Sequence, residues 1–424
     1  MNANKIKSLI CAVRRRRTNQ KLTFICVHLR SFAFSFTFVL LLTPPLHAAE
    51  WSGNIALQSR YFPQAPLPQN TEQYNNYLSI SAEPEFYHGW DNDNQSLTFT
   101  PFIRIDQYDK ERTHGDIREL AWQKVFNNWE LKAGISKVYW GVTESQHLVD
   151  VINQTDAVEN IDGEDKLGQP MIQASFEKDW GTVDVFVLPG FRERTFSDIK
   201  GRPRFYPYVD ASQAQYESSN KARNIDYALR WFHMIGDWEI GIAHFKGTSR
   251  DPVYLPGLNN GQPVIIPFYP QMNQTSLDAQ ATTEDWLWKL EVISRDWLDE
   301  RFLALTAGLE YTFIGVMDTD ADLGFVAEYL YDNRNKNITS FFENDIMLGL
   351  RLAMNDEQSS EALLGFIVDA DTQETFVSLE ASQRLGDSWK LELEIRSFQR
   401  VASSSLLQTL KKDGFVQIDI GYFF

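Results

Sequence analysis

A short polar turn followed by tryptophan and an alternating strand recurs along the chain, and this repeat restricts the possible folds. The pattern occurs at Asn127-Asn128-Trp129, Lys178-Asp179-Trp180, Gly236-Asp237-Trp238, Glu284-Asp285-Trp286 and Gly386-Asp387-Ser388-Trp389. Gly, Asn and Asp tolerate the positive φ angles of tight hairpin turns. Apolar and polar residues alternate after each turn, so each strand has one apolar and one polar face. The repeat therefore predicts a meander of antiparallel hairpins.

The last ten residues, 415–424, carry the same alternation, with an apolar residue at every second position from Val416 to Phe424. About ten residues is the length of a tilted strand that crosses a bilayer. The terminal aromatic pattern, with Tyr422 and Phe424, resembles the carboxy-terminal assembly signal of bacterial outer-membrane β-barrels. The resemblance implies recognition by the barrel-assembly machinery. A strand of a soluble β-sandwich is the alternative.

The first 49 residues have the layout of a secretory signal peptide. A basic cluster at Arg14 to Arg17 precedes an apolar run of twelve residues, Ser31 to Leu42, which is too short for a transmembrane helix. Small residues at Ala48 and Ala49 offer a cleavage site. We predict a signal peptide over 1–49 and an outer-membrane β-barrel domain over 50–424 in a Gram-negative bacterium. An uncleaved membrane anchor is the alternative.

Charge and cysteine content narrow the possible functions. The first 49 residues hold eight of the 40 basic residues, none of the 57 acidic residues and both cysteines, Cys11 and Cys26. The remaining chain is therefore strongly acidic, which argues against nucleic-acid binding, and it has no disulfide or thiolate metal site. It also has no run of eighteen apolar residues, so a membrane-spanning chain of this sequence must cross by strands that close into a barrel.

Longer connections alternate with the tight turns, at 62–74, 107–115, 142–168, 192–223 and 248–270. Short turns at one end and long loops at the other are typical of outer-membrane barrels, whose short turns face the periplasm. Both ends of the mature chain should also be periplasmic, which requires an even strand number. We predict an all-β, up-and-down antiparallel barrel of eighteen strands, one of them over 129–141, with eight turns and nine loops. Sixteen strands is the alternative, because 51–61 and 361–369 are weakly patterned.

The apolar strand faces should contact lipid, and the polar faces should line the lumen. In one strand, Ile103 and Ile105 oppose Arg104 and Asp106. A barrel this wide is usually not filled by its own side chains, which favours a water-filled passage over an interior closed by ion pairs. The candidate pore-lining and constriction residues are Arg104, Lys132, Asp150, Asp156, Glu159, Arg192, Arg194, Arg230, Lys289, Glu291, Glu310, Arg351, Glu392, Glu394 and Arg396.

The third predicted loop, 142–168, is acidic and is flanked by Gly141 and Gly168, which permit sharp turns. If it folds into the barrel, its acids Asp150, Asp156 and Glu159 should face basic residues of the barrel wall or of the next loop, such as Arg192 and Arg194. Opposed charges across a narrow pore would then select solutes by charge. The alternative is a loop that caps the mouth.

Enzyme motifs are missing from the sequence. The histidines have no metal-ligand spacing, and no Gly-x-Ser-x-Gly, phosphate-loop or His-Glu-x-x-His pattern occurs. We therefore predict no catalytic residue, no cofactor and no metal site.

The stretch Gly134 to Gly141, continued by Val151 to Asp156, resembles a motif of an uncharacterised porin-like family of Gram-negative outer-membrane proteins. Two departures are Ser136 before Lys137 and Gln154-Thr155 in place of a proline. The layout is also similar to alginate-export-type barrels, although their lumen is basic and this one is mixed and slightly acidic.

These resemblances imply a passive channel or exporter for small solutes or a polymer. They imply contact with outer-membrane lipid and lipopolysaccharide and leave room for a periplasmic or inner-membrane transport complex as partner. The alternatives are a non-conducting outer-membrane partner of a periplasm-spanning transport system and a barrel enzyme.

Overall fold

The structure is a computed structural model that describes residues 49–68, 72–334, 340–403 and 405–424. The predicted signal peptide therefore lies, apart from Ala49, outside the described residues. Among those that are described, no helix combines the length and the apolar content that a membrane span requires.

Eighteen antiparallel strands form one sheet within the described part of the chain. In chain order they are β1 (Glu50–Tyr61), β2 (Asn76–Trp90), β3 (Gln95–Asp106), β4 (His114–Val125), β5 (Trp129–Ser136), β6 (Gln169–Lys178), β7 (Gly181–Pro189), β8 (Ile225–Ile235), β9 (Trp238–Thr248), β10 (Gln271–Thr283), β11 (Trp286–Trp297), β12 (Glu300–Phe313), β13 (Asp322–Asp332), β14 (Asn344–Ala353), β15 (Glu361–Asp369), β16 (Thr375–Leu385), β17 (Trp389–Gln399) and β18 (Phe415–Phe423).

The sheet closes on itself, because each strand pairs with the next and β1 also pairs with β18. That closing ladder runs from Asn54 opposite Phe423 to Tyr61 opposite Val416. The predicted eighteen-strand barrel is confirmed, and the sixteen-strand alternative is wrong. Both weakly patterned segments, β1 and β15, are wall strands, since each is hydrogen-bonded to a neighbour on either side.

The connections differ between the two ends of the barrel. At the end that we call the turn end, eight connections follow the even-numbered strands, from 91–94 to 386–388. At the other end, the loop end, nine connections include loop 3 (137–168), loop 4 (190–224) and loop 5 (249–270). The exception at the loop end is the two-residue turn Leu298-Asp299, with φ angles of 50° and 61°. A separate small sheet at the loop end combines Val253–Asn259 and Gln262–Tyr269 of loop 5 with Gln215–Tyr216 of loop 4.

Tryptophan side chains mark the turn end of the outer surface, as the turn repeat predicts. Trp180, Trp238 and Trp389 are each about half exposed beside a short turn. Trp389 also packs against Tyr422, with ring centroids 5.1 Å apart. Amphipathic rings of this kind favour the boundary between lipid and water, so this row of residues fits one membrane interface.

Exposure on the wall is the reverse of that in a soluble protein. In β3, Ile103 and Ile105 are 53% and 57% exposed, whereas Arg104 and Asp106, which point inward, are 7% and 8% exposed. The same alternation of exposed apolar and covered inward residues recurs in β1, β8 and β9. An apolar outer surface and a charged interior suit a barrel surrounded by lipid.

The inner surface is not wholly polar, which corrects the sequence-based assignment. Phe186 of β7, Phe245 of β9 and Ile293 of β11 point inward and are almost fully buried. They form one hydrophobic core with Val149 and Ile152 of loop 3. The apolar part of the inner wall therefore serves as a packing surface for a loop rather than as a pore lining.

Candidate functional site

Strand β5 ends at Ser136, five residues before the predicted end at Gly141. The backbone N–H of Val138 donates to Asn153 Oδ1 (2.9 Å), and those of Trp140 and Gly141 donate to Asp150 Oδ1 (2.6 and 3.0 Å). These donors are satisfied within loop 3 instead of in the sheet. The chain therefore leaves the wall at Lys137 and turns into the lumen.

The tip of loop 3 is held by a wall carboxylate, Glu291, at about the middle of β11. Its Oε1 accepts hydrogen bonds from the N–H groups of Val142 (2.7 Å) and Thr143 (3.0 Å), and its Oε2 accepts one from the N–H of Val149 (3.1 Å). The carboxylate is fully buried, so leaving those donors without it would be costly. Glu291 lies beneath the loop and does not line open water.

A second wall carboxylate, Glu328 of β13, holds the next two residues of the tip. It accepts the N–H groups of Glu144 (2.7 Å) and Ser145 (2.8 Å) and the Ser145 hydroxyl (2.6 Å). Glu144 itself pairs with Arg351 (2.6 Å) and lies 3.5 Å from Lys289. Loop 3 thus reaches across the lumen from β5 to β11, β13 and β14.

The returning limb of loop 3 is held by three ion pairs with arginines of the wall. Glu159 pairs with Arg104 of β3 (2.7 Å), Asp156 with Arg118 of β4 (2.7 Å) and Asp162 with Arg396 of β17 (2.8 Å). These are direct contacts between covered side chains. They fasten the loop and leave no gap across which opposed charges would act.

The partners predicted for the acids of loop 3 are partly wrong. Arg192 pairs with Asp116 of β4 (2.8 Å), and Arg194 pairs with Asp251 of loop 5 (3.2 Å). Asp150 caps backbone donors of its own loop, as described above. The wall supplies the arginines because loop 3 lies deeper in the barrel than loop 4.

Two glycines near the ends of loop 3 are needed for space. A Cβ atom on Gly141 would lie 2.3 Å from His147 Nδ1, and one on Gly168 would lie 2.3 Å from the carbonyl oxygen of Ile117. The predicted role of Gly141 and Gly168 was conformational freedom, but close packing is what requires them.

Loop 4 fastens other loops together at the loop end. Arg202 pairs with Asp413 in 400–414 (2.8 Å), and Gln73 in 62–75 donates to the carbonyl oxygen of Gly201 (2.5 Å). The rings of Phe205 and Phe341 stack at 6.5 Å. The mouth at this end is therefore narrowed by interlocked loops.

The fifteen candidate residues differ in their exposure. Arg104, Asp156, Glu159, Arg230, Glu291, Glu310, Glu394 and Arg396 are buried; Lys132, Asp150, Arg192, Arg194, Lys289 and Arg351 are half-buried; Glu392 is exposed. The buried candidates lie mostly against loop 3, so they hold the loop in place. Lys132 and Glu392 lie toward the turn end, where the lumen is in contact with water.

Several residues that hold loop 3 were not among the candidates. Glu328, Arg118 and Asp162 make contacts as close as those of the predicted residues. The alternation places Glu328 inward, but no pattern in the sequence separates a loop-holding carboxylate from any other inward acid. Only the path of loop 3 distinguishes them.

The charges of loop 3 shift the protonation of several of its groups. Enclosure within the barrel raises the pKa of Asp165 to about 7, with Asp162 and Glu159 adding to the effect, although the side chain keeps contact with solvent. Burial likewise raises the pKa of Asp162 to about 6, against the opposing effect of Arg396. Burial disfavours a charged His147, but Glu164 and Glu291 outweigh it and raise the His147 pKa to about 10.

No group of three or more His, Cys, Asp or Glu side chains with metal-binding geometry occurs among the described residues. The arrangement found inside the barrel consists of hydrogen bonds and ion pairs between a loop and a wall.

Comparisons with known proteins find only distant similarity in structure. No family model matches the chain, and no curated protein matches it. The loop L8 deletion mutant of OmpT, an outer membrane protein of Vibrio cholerae, is 10% identical with a TM-score of 0.45, over 89% of this chain and 99% of that chain. OmpT expressed in the outer membrane of Vibrio cholerae is 10% identical with a TM-score of 0.43, over 90% and 99%.

A triple mutant of the Rhodopseudomonas blastica porin is 11% identical with a TM-score of 0.43, over 89% of this chain and 100% of that chain. These similarities are too weak to support any statement about the activity of this chain.

Proposed function

We propose that this chain is a channel of the bacterial outer membrane that passes small solutes through a lumen narrowed by loop 3. The observation that carries the proposal is the position of loop 3. It lies inside a closed barrel, fastened to β3, β4, β11, β13 and β17, so that any passage must follow its surface. A loop that merely decorated the mouth would not require buried wall carboxylates.

The sidedness follows from the same reasoning. The turn end, with its short connections and tryptophan row, would face the periplasm, and the loop end would face the outside. Solutes would enter between the interlocked loops, pass loop 3 and leave through the water-filled half of the lumen near Lys132 and Glu392.

Planar-bilayer recording of the pure refolded chain tests the proposal, with heat-modifiable gel mobility as the check that the barrel is folded. We expect stable, ohmic single-channel steps. A folded barrel that gives no current at any voltage would contradict the proposal.

A folded barrel without current would favour a non-conducting partner of a periplasm-spanning transport system. One observation favours this alternative, namely the fastening of loop 4 across the mouth through Arg202 and Gln73. Export of an alginate-type or other polymer would require loop 3 to leave a wide path through the lumen.

A further inference from the structure

A cavity of about 420 Å³ lies where residues 137–140 leave the wall, and the channel function alone gives it no role. It is bounded by the inner faces of β5 to β8 and by the first residues of loop 3. Its volume falls in the range of small-molecule sites. Tyr139, which is 52% exposed, borders it, so solutes in the lumen can reach it.

One side of the cavity is aromatic. Trp140, Phe186 and Phe232 line it together with Tyr139. Trp140 and Phe186 meet edge to face at 5.7 Å, and the Arg230 guanidinium lies 5.0 Å from the centre of the Trp140 ring. These contacts fix Trp140 and Phe186, which are 7% and 1% exposed, so the rings left open to a solute are those of Tyr139 and Phe232.

Each charged group of the cavity has a partner, with one exception. Lys132 pairs with Glu119 (2.9 Å), and Arg230 binds both oxygens of Asp278 (2.8 and 2.7 Å). Asp184 accepts a hydrogen bond from the Ser175 hydroxyl.

The exception is Lys137, for which the described residues provide no hydrogen-bond or ion-pair partner. It is half-buried and lines the same cavity. A half-buried ammonium group without a partner is a recognition element for an anion, since pairing there is stronger than in open water.

We propose that this cavity, which we call the Lys137 site, binds small monocarboxylates with an aromatic or compact apolar body. One free ammonium matches one carboxylate, and the rings of Tyr139 and Phe232 match the apolar body. Uncharged sugars use hydrogen bonds on all sides, whereas here Arg230 is already engaged with Asp278 and Lys132 with Glu119. This inference rests on the proposed channel function for its biological meaning, since the Lys137 site would retain such solutes below loop 3.

Calorimetric titration of the full folded barrel in detergent with benzoate tests the proposal. We expect saturable binding of benzoate, with weaker binding of acetate, which lacks the apolar body, and of benzamide, which lacks the charge. Lys137→Gln should weaken benzoate binding roughly tenfold, the loss of one charge-assisted hydrogen bond. Lys137→Arg should restore most of it.

Lys390→Gln is the matched control, because Lys390 is an inward lysine of β17 that pairs with Glu392 (2.6 Å) of the same strand. Its benzoate affinity should equal that of the unchanged chain. Equal binding of benzoate and benzamide, unchanged affinity in Lys137→Gln, or stronger binding of glucose than of benzoate would overturn the proposal.

The titration does not depend on conductance, so the channel function and the Lys137 site can each be contradicted without the other. A barrel that binds benzoate through Lys137 but carries no current would support the Lys137 site and contradict the channel. A conducting barrel whose benzoate affinity is unchanged in Lys137→Gln would support the channel and contradict the Lys137 site.

Discussion

The two halves of the lumen are built from the same alternating strands, yet one is filled and the other is open. Glu392 and Glu394 lie on the same face of β17, two residues apart. The Glu392 side chain, toward the turn end, is 49% exposed, whereas that of Glu394 is 11% exposed. The difference arises because Asn160 and Asp162 of loop 3 cover Glu394 and its neighbour Arg396. The wall sequence sets which side chains face inward, and the loops decide which of them meet water.

Removal of loop 3 should abolish this difference and have the largest effect. Deletion of residues 146–164, with a short Gly-Ser bridge, takes away the returning limb and the three arginine pairs. We expect a severalfold increase in single-channel conductance, because most of loop 3 is then removed from the lumen. Conductance and ion selectivity equal to those of the intact barrel would show that loop 3 does not restrict the passage.

Loss of one wall carboxylate should release only the tip of loop 3. Glu291→Ala leaves the N–H groups of Val142, Thr143 and Val149 without their acceptor. We expect the docked tip to lose roughly 3 kcal/mol, which raises the undocked population more than about a hundredfold. Hydrogen exchange at those amides and flickering of the channel current measure the effect.

The control for this change is Glu392→Ala, which removes an inward carboxylate from the open half. It should change amide exchange in loop 3 by less than about 0.5 kcal/mol. Equal protection of the tip in the two variants would contradict the role of Glu291.

A smaller effect should follow from pH. The folded pKa of Asp165 is about 7 against an ordinary value of 3.8, so its contribution to docking is fully present below about 4 and is lost as the pH rises through 7. Asp162, with a pKa of about 6, and His147, with a pKa of about 10 against an ordinary value of 6.5, act in the same direction. Loop 3 should therefore be held more tightly at pH 5 than at pH 8.

The measurement is the open-channel noise at pH 5 to 8, which should increase with pH. Asp165→Asn resembles the protonated form and should show low noise and a weaker pH dependence. An unchanged pH dependence in Asp165→Asn would assign the effect to other groups.

The sequence was sufficient to predict the strands of the barrel wall, because a strand that separates lipid from a charged interior has a strict period of two. Turn chemistry and parity then gave eighteen strands, even for the weakly patterned β1 and β15. The end of β5 was placed too late, because Lys137 to Gly141 continue the alternation. Their departure from the wall depends on Asp150 and Asn153, which lie farther along the chain.

The contacts of loop 3 were predictable only in part, because they too depend on residues that lie far apart in the chain. Alternation identifies Arg104, Glu291 and Arg396 as inward residues, but it does not say what covers them. Arg192 and Arg194 are predicted as partners for the acids of loop 3 because they lie in the next loop of the chain. Their actual partners, Asp116 and Asp251, are brought near by the closed barrel.

Thiol accessibility along β17 tests most directly whether loop 3 fills one half of the lumen. Glu392→Cys and Glu394→Cys are compared in a chain with Cys11 and Cys26 replaced by serine, each with and without deletion of 146–164. In the folded barrel, a small methanethiosulfonate reagent should modify position 392 rapidly and position 394 slowly. In the deletion variant both positions should react rapidly. Equal rates at the two positions in the intact barrel would contradict the account.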